Sequence, residues 1–582
     1  MTAPSARTLP IPAGHREFTV KVNGRAVGRE QHLVGLSVTK AVNRIASARL
    51  AYLDGSVSAS DFPLSNGALF VPGNTVEILA GAGDNPDSLF QGIVIRQAIK
   101  VRDSTAPQLV IECRHKATKL TIGRKNAYFF AQTDSDIITS ILKQADVPAD
   151  VEPSSTSHAQ LVQFRSTDWD FLLARAEANG KLVFTNSAAV TVKAPATTGR
   201  PVCELHFGAT IIELDAEVDA RRQFSAVKAL TWDQSQQEVV ETDAADPGVA
   251  GPGNLKADDL AAVAALDSER LIHSAITKEE AQRWADAAWL KSRLSKVSGR
   301  VKCEGIGTVN PGDVVALSGT GDRFSGDVFV TGVRHDFDVV QGWKTHIQFG
   351  NTDAWTAETP GVSAPPAGAL VPGVTGLQVG KVVSNEDADG EHRVRVRLPL
   401  VNNEEDGVWA RVAAVDAGAD RGFFFRPEIG DEVVLGFLDD DPRQPVILGM
   451  LHSSANAAPL NGSDQNDEKV YQSRSKMKLY FDDGKKAVQL ETPAGNRVTM
   501  SEADKAVKIT DQNGNAIELT EDGITIKSSK AIALKAGTEV TMESGTAFDI
   551  KGGSELKLQG TSGAELSSTA TTAVKGSLVQ LN

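Results

Sequence analysis

Apolar and polar residues repeat every eight positions near the end of the 582-residue chain. Each repeat holds two apolar residues with one polar residue between them, the pattern of a strand with one buried face. The apolar pairs are Ile524 and Ile526, Ile532 and Leu534, Val540 and Met542, Phe548 and Ile550, and Leu556 and Leu558. The eight-residue step predicts a sharp corner after each short strand. One such ribbon cannot bury its apolar face alone, so neighbouring turns or chains must cover it. We therefore predict a β-helical needle over residues 479–582, with these ten residues as its core.

The first part of the chain combines strand patterns with three helical patterns. Phe18, Val20 and Val22 alternate ahead of the turn Asn23-Gly24, which is typical of a hairpin. Helical spacing predicts helices over residues 134–145, 167–179 and 278–296. Asp134 or Ser135 is the expected N-cap of the first helix, and Gly180 the expected end of the second.

Two segments of the first 350 residues share an order of turn and strand residues. The first segment holds Pro72-Gly73, Gly83-Asp84 and Gly92, and the second holds Pro311-Gly312, Gly321-Asp322 and Gly332. Either an internal duplication or a chance similarity of turn residues explains the match. The duplication would predict two related β-barrels, each flanked by a helical element.

A compact β-rich module follows a proline-rich linker. Val394, Val396 and Leu398 alternate with arginines, and further strand patterns follow at short intervals, which suits a small closed barrel of the OB type. Alternation along Phe423-Phe424-Phe425 would send some rings into the barrel core and some outward. An outward ring would pack against another chain, whereas packing in the core alone is the simpler alternative.

The predicted fold is mainly β, with an α+β hub, an OB-fold barrel and a C-terminal trimeric intertwined β-helix. The predicted domains are an N-terminal extension (1–16), hub barrel 1 (17–133), an α+β hub segment (134–200), hub barrel 2 (201–355) with the helix 278–296, a linker (356–374), the OB-fold domain (375–455), a connector (456–478) and the needle (479–582).

Composition excludes several classes of protein. The net charge of −14 argues against nucleic-acid binding. The three cysteines lie far apart in the sequence, which suits a reducing compartment better than a disulfide framework. No Sec signal is visible at the N-terminus, and no stretch approaches the roughly 18–20 apolar residues that span a bilayer. We expect assembly in the bacterial cytoplasm.

Several motifs together resemble the VgrG-type spike proteins of contractile injection machines and the hub and spike of contractile phage tails. The barrel motifs are Gly380-Lys-Val-Val, Arg393-Val-Arg-Val-Arg-Leu-Pro399, Trp409-Ala-Arg-Val, Gly422-Phe-Phe-Phe-Arg-Pro-Glu-Ile-Gly-Asp-Glu-Val-Val-Leu-Gly-Phe437 and Asp441-Pro-Arg-Gln-Pro-Val-Ile-Leu-Gly449. Asp168-Trp-Asp-Phe-Leu-Leu-Ala-Arg175 and Pro311-Gly-Asp are similar to hub segments of the same proteins. The resemblance covers roughly residues 17–582.

The resemblance implies a homotrimer that acts mechanically. Its hub would carry two barrels per chain and join a threefold spike to the sixfold inner tube and the baseplate. Sheath contraction would drive the needle through the target membrane. A small conical PAAR-type protein would sit on the blunt tip of the needle, and the residues expected to contact it are Leu578, Val579, Leu581 and Asn582.

Catalytic and metal chemistry is not expected. The pair Cys113 and His115 and the pair Cys203 and His206 each supply at most half of a zinc site, which needs about four ligands. His335 is expected to be a core or interface residue rather than a base. The motifs of serine hydrolases, zinc proteases and P-loop enzymes are missing. The octads run essentially to Asn582, and residues 452–478 are too few for an inserted lysozyme domain, so we expect no enzyme activity and no cofactor.

Two other classes of protein remain open at this point. One is a spike with peptidoglycan-hydrolase activity, and the other is a β-helical adhesin or tail fibre that binds glycans. An adhesin would need neither hub nor barrel, and aromatic residues make up only 5% of the chain. Among injection machines, the sequence resembles extracellular phage-tail-like particles slightly more than type VI secretion systems or phage baseplates.

Overall fold

The computed structural model describes residues 18–81, 86–249, 251–273, 276–351 and 354–581. The predicted N-terminal extension, the Gly83-Asp84 turn and Asn582 lie outside these residues. The chain forms two compact units, one from residues up to 375 with 439–442, and one from 376–438 and from 443 onward. In the part that is described, no helix has the length and apolar character needed to cross a membrane.

The first unit begins with antiparallel strands. They are β1 (Phe18–Val22), β2 (Arg25–Ala26), β3 (Leu33–Ala41), β4 (Ser47–Leu53), β5 (Thr75–Ala80), β6 (Asp87–Lys100) and β7 (Gln108–Arg114), with the short helix α1 (Pro63–Asn66) before β5. The predicted turn is confirmed, because Asn23 and Gly24 have φ angles of 49° and 80°. The predicted alternation is confirmed as well, since Val20 and Val22 are buried in the core of this half.

An α+β segment follows. Its elements are β8 (Lys125–Thr133), α2 (Asp134–Gln144), β9 (Ala149–Val151), β10 (Ser157–Ser166), α3 (Asp168–Ala178), β11 (Leu182–Phe184) and β12 (Val190–Lys193). The predicted N-cap of α2 is wrong. Thr133 caps the helix by accepting a hydrogen bond from the Asp136 backbone at 3.2 Å, whereas Asp134 accepts one from Arg175 Nε at 2.7 Å. Gly180 adopts a φ of 64° just after α3, as predicted.

The second half of the hub returns to strands. Its elements are β13 (Cys203–His206), β14 (Ile211–Val218), β15 (Val227–Asp233), β16 (Glu238–Asp243), α4 (Ala257–Ala264), β17 (Glu269–His273), α5 (Lys278–Leu294), β18 (Val297–Glu304), β19 (Val314–Ser318), β20 (Gly326–Asp338) and β21 (Gly342–Phe349). Helix α5 ends two residues before the predicted boundary. It buries Ala281, Ala285 and Trp289 against Val227 and Ala229 of β15.

Thirteen of the hub strands form one sheet, and the others form three small sheets, β8 with β10, β9 with β11 and β12, and β15 with β16 and β17. The order of the large sheet is β14-β18-β21-β20-β3-β4-β7-β6-β5-β1-β2, with β19 paired to β20 and β13 paired to β19. The prediction of two separate hub barrels is not confirmed, because β20 of the second half pairs with β3 of the first from Gly332↔Ala41 to Asp338↔Gly35. Each half has its own hydrophobic core, but Trp343 of β21 is buried in the core of the first half, so the two cores are not completely separate.

The two matched turns have the same backbone hydrogen bonds. The bonds join Gly73 N to Val94 O and Val94 N to Asn74 O in the first half, and Gly312 N to Val330 O and Val330 N to Asp313 O in the second. Both halves therefore contain the same turn ahead of the same strand. Val94 corresponds to Val330, so the predicted match of Gly92 with Gly332 is wrong by four positions, and the equivalent of Gly92 is Val328.

Polar side chains are buried where the two halves meet. Lys40 of β3 donates a hydrogen bond to the Asn310 side chain of the second half, and burial lowers the Lys40 pKa to about 8. His335 of β20 is completely buried, and its Nδ1 lies 3.1 Å from Thr345 Oγ1. Desolvation lowers the His335 pKa to about 3. His335 is thus a neutral core residue.

The second unit begins with a barrel. Its strands are β22 (Gln378–Ser384), β23 (Val394–Arg397), β24 (Val408–Val412), β25 (Ala417–Gly418), β26 (Arg421–Gly422), β27 (Glu432–Phe437) and β28 (Pro445–Met450). Strands β22-β23-β24-β28-β27 close into a five-stranded barrel, in which β24 and β28 pair in parallel. Val394 and Val396 are fully buried in the barrel, as their alternation predicted.

The three phenylalanines before β27 correct another expectation. Phe423, Phe424 and Phe425 are each at least half exposed, and none joins the barrel core. The reason is local: Phe423 N donates to Asp416 O at 2.9 Å, which ends the β25–β26 hairpin, and the three residues lie outside any strand. Strict alternation therefore does not apply to them.

A seven-stranded antiparallel meander follows the barrel. Its strands are β29 (Glu468–Gln472), β30 (Lys478–Asp482), β31 (Ala487–Glu491), β32 (Arg497–Ser501), β33 (Ala506–Thr510), β34 (Ala516–Thr520) and β35 (Gly523–Lys527). Each strand pairs with the next along the chain. The first strand falls within residues 456–478, where the sequence suggested a connector.

We expect His335 to make the hub sensitive to acid. An unfolded histidine takes up a proton near pH 6.5, whereas buried His335 does so only near pH 3. The unfolded state therefore binds more protons between these values, and hub stability falls as the pH drops below 6.5. Between pH 7 and pH 5 the loss is on the order of 2 kcal/mol.

Amide hydrogen exchange of strand β20 in the full chain measures this effect. The opening free energy of the strand should be lower at pH 5 than at pH 7. In a His335→Gln variant this decrease should be smaller, because the contribution of His335 is absent. Equal pH dependence in the two proteins would contradict the assignment of His335 as a neutral core residue.

Candidate assembly interface

The meander presents two columns of apolar side chains. The first column is Leu479, Leu490, Val498, Ile509, Ile517 and Ile526, and the second is Phe481, Val488, Met500, Val507, Leu519 and Ile524. Successive members of a column lie directly opposite each other on neighbouring strands, so all twelve side chains share one face of the sheet. Tyr471 of β29 extends the first column, because it pairs with Leu479.

The opposite face of the meander is polar. Arg497 and Glu491 form a cross-strand pair at 2.9 Å, and this hydrogen bond holds the Glu491 pKa below its usual value. Lys508 lies opposite Glu518 in the register of the next strand pair. Charged and hydroxyl side chains thus distinguish this face from the apolar one.

Nothing in the described part of the chain covers the apolar face. None of the hydrophobic cores found there includes a meander residue. Column members such as Leu490, Met500 and Ile524 remain more than half exposed. A sheet with one bare apolar face needs a partner surface, because contiguous exposed apolar area of this kind marks an interaction site in a folded protein.

Residues 528–581 continue as extended segments with corners. Bends fall at 529–530, 537–538, 545–546, 553–554, 561–562 and 569–570, a step of eight residues that matches the predicted corners. Within 528–581 the structure contains no strand and no backbone–backbone hydrogen bond. Residues 528–581 thus bend at regular intervals and have no strand partner among themselves.

The predicted needle-core residues are not buried in the single chain, and the sequence pattern predicts that neighbouring turns or chains cover them. All ten are 53–75% exposed: Ile524, Ile526, Ile532, Leu534, Val540, Met542, Phe548, Ile550, Leu556 and Leu558. The physical reason is that an extended ribbon has no second layer of its own to pack against these side chains. Their burial by other copies stays a prediction.

The extended conformation carries a cost that one copy does not offset. Fixing a backbone residue costs roughly 1–2 kcal/mol, and buried backbone groups need hydrogen-bond partners. We therefore expect another molecule to supply both the hydrogen bonds and the cover.

The predicted tip residues are also uncovered. Leu578 and Leu581 are almost fully exposed, and Val579 is about half exposed. Asn582 is outside the described residues. Their contact with a tip protein remains a prediction.

The candidate metal residues have other partners. His115 Nδ1 accepts a hydrogen bond from the Ala117 backbone at 3.1 Å, and burial raises the pKa of the neighbouring Cys113 thiol. His206 Nδ1 lies 2.9 Å from Ser318 Oγ. Within the described ranges no three His, Cys, Asp or Glu side chains are grouped to hold a metal ion.

Sequence reasoning missed the meander columns. It placed the core only from Ile524 onward, although five earlier pairs carry the same apolar–polar–apolar pattern. They are Leu479 and Phe481, Val488 and Leu490, Val498 and Met500, Val507 and Ile509, and Ile517 and Leu519. These pairs are nine or ten residues apart instead of eight. A search for pairs at variable spacing would have found them.

Comparison with known families defines the class of protein. The model "Type VI secretion system/phage-baseplate injector OB domain" matches residues 378–452, the barrel. The model "Phage baseplate V C-terminal trimerisation domain" matches residues 486–554, which contain most of the meander and the first octads. The barrel and the segment after it are thus those of a spike protein of a tail-like injection system.

The N-terminal part matches a third model, "Alg8 N-terminal domain", over residues 13–338, more than half of the chain. The chain belongs to the family that this model describes, and its barrel and C-terminal segment make it a VgrG-type spike protein.

Two curated relatives are also VgrG proteins. The spike protein VgrG3 of the Vibrio cholerae type VI secretion system is 30% identical over 142 residues, which are 23% of this chain and 14% of that protein. The Vibrio cholerae actin cross-linking toxin VgrG1 is 32% identical over 134 residues, 20% of this chain and 12% of the toxin. The matches thus span about an eighth of these relatives' length. A Neisseria meningitidis tail protein aligns at 15% identity and a TM-score of 0.42, over 59% of this chain and 98% of its own.

We expect an Ile550→Asp variant to lose assembly. Its carboxylate would replace an apolar side chain on the face that we expect another copy to cover, and burying an unpaired charge is strongly destabilising. Light scattering after size-exclusion chromatography measures the assembled fraction. Thr541→Asp is the control, because Thr541 lies between Val540 and Met542 and points to the opposite face. Normal assembly of the Ile550→Asp protein would mean that the strand phase is wrong.

Proposed function

We propose that this chain is the homotrimeric central spike and hub of a contractile, phage-tail-like injection system. Sheath contraction drives the spike through the envelope of the target cell, and the chain acts mechanically rather than as an enzyme. The observation that carries the proposal is the uncovered apolar face that runs from Leu479 through the octads to Leu558. The match of its central part to a trimerisation domain supports three copies.

Three copies suit the geometry of residues 528–581. Each extended segment between two bends has unpaired backbone groups on both edges, so a neighbouring copy is needed on either side. Three chains that wrap around one axis give every segment two neighbours and leave no free lateral edge. The apolar pairs of each octad, such as Ile532 and Leu534, then face the axis.

Intertwined chains also account for stiffness. Because each copy contacts the other two along its whole length, one chain cannot unfold without disrupting the others. Such an assembly resists unfolding kinetically, which a device that transmits force requires. Charged residues between the apolar pairs, such as Lys535, Lys551 and Glu543, face water in this arrangement.

The two ends of the trimer have different partners in this proposal. The hub faces the sixfold inner tube and the baseplate, and the similar turns before β5 and β19 support two related elements per chain. A PAAR-type tip protein caps Leu578, Val579, Leu581 and Asn582, where apolar side chains stay exposed. The trimer assembles in the bacterial cytoplasm and joins a particle that is released or delivered to the target cell, and we favour an extracellular particle.

The mass of the purified protein in solution tests the proposal. Analytical ultracentrifugation should give three copies of the chain over the micromolar range, because separation would expose the apolar strip of every copy. A stable monomer at micromolar concentration would overturn the trimeric needle, and with it the proposed function.

A further inference from the structure

An exposed aromatic cluster lies on the barrel beside the start of the meander. We define it as Phe423, Phe425 and Tyr471. The ring of Phe425 meets that of Tyr471 edge to face at 4.8 Å, and the Phe423 and Phe425 rings are 5.9 Å apart. All three side chains are at least half exposed. Three adjoining aromatic rings that remain exposed to water form an apolar patch of the kind found at interaction sites.

The backbone holds this aromatic cluster in place. Phe423 N donates to Asp416 O at 2.9 Å on one side of the segment, and Arg426 donates to Arg393 O on the other. Gly422 has a φ of 127°, and a side chain there would come within 2.4 Å of Asp416 O. The three phenylalanines are therefore presented by a turn of defined shape, which lowers the entropy lost on binding.

The aromatic cluster is continuous with the apolar face of the meander. Tyr471 touches Phe425 and also pairs with Leu479, which begins the first apolar column. One strip of apolar side chains thus runs from the barrel through the meander towards the octads. The surface that covers Leu479 and its successors also reaches Tyr471 and the rings beside it.

We propose that the aromatic cluster binds a second copy of this chain and extends the trimer contact from the needle onto the barrel. The inference rests on the proposed function, which assigns the meander face to other copies. A foreign protein would have to cover Phe425 while another copy covers Tyr471, although these two rings are in contact. The barrels are thereby fixed to the base of the needle by neighbouring chains.

Photo-crosslinking of the full chain tests this inference. The photoreactive amino acid p-benzoylphenylalanine replaces Phe423, an exposed aromatic ring of the cluster, so that folding is preserved. Irradiation should give covalent species of two or more copies on a denaturing gel, and mass spectrometry should find the attached peptide in the barrel or meander. Val57, which is exposed in the hub, is the negative control position, and Phe548 in the octads is the positive one.

The outcomes separate this inference from the proposed function. Crosslinked copies from position 548 but none from position 423, in a protein with the mass of three copies, would overturn the inference and leave the trimeric needle standing. Crosslinking at position 423 to another baseplate component in assembled particles, without any to a second copy, would also overturn it. A monomeric mass and no crosslink at either position would overturn both.

Discussion

The structure depends on one constraint. The C-terminal part of the chain can neither bury its apolar side chains nor pair its backbone groups by itself. The meander and the octads place apolar side chains on one face, and residues 528–581 follow a regular extended path without backbone partners of their own. This arrangement is unfavourable in water, because apolar area stays exposed and the ordered backbone has lost conformational entropy. Association is therefore a condition for this fold rather than an addition to it.

The other parts of the molecule make sense in relation to that constraint. The hub and the barrel each form hydrophobic cores within one chain. In the proposed trimer, the copies would share a core only in the needle, whereas each hub and each barrel would keep its own.

Local patterns in the sequence predicted the local structure well. The eight-residue step appears as bends at the same interval, because a strand and its corner are set by neighbouring residues. The barrel and the Asn23-Gly24 hairpin followed from alternation and turn chemistry for the same reason.

Features that depend on distant contacts could not be predicted in this way. The large hub sheet arises from the pairing of β3 with β20, strands almost three hundred residues apart, which no local pattern encodes. By contrast, the N-cap of α2 was misplaced although its capping box, Thr133 with Asp136, is a local pattern. The apolar columns of the meander become visible only when the strand register aligns pairs of unequal spacing.

Amide hydrogen exchange across residues 528–581 of the full-length protein tests the central claim most directly. If neighbouring copies supply the missing backbone hydrogen bonds, these amides will exchange as slowly as those of the closed barrel in the same sample. Exchange at the rate of an unstructured peptide throughout 528–581, with the barrel still protected, would contradict the account.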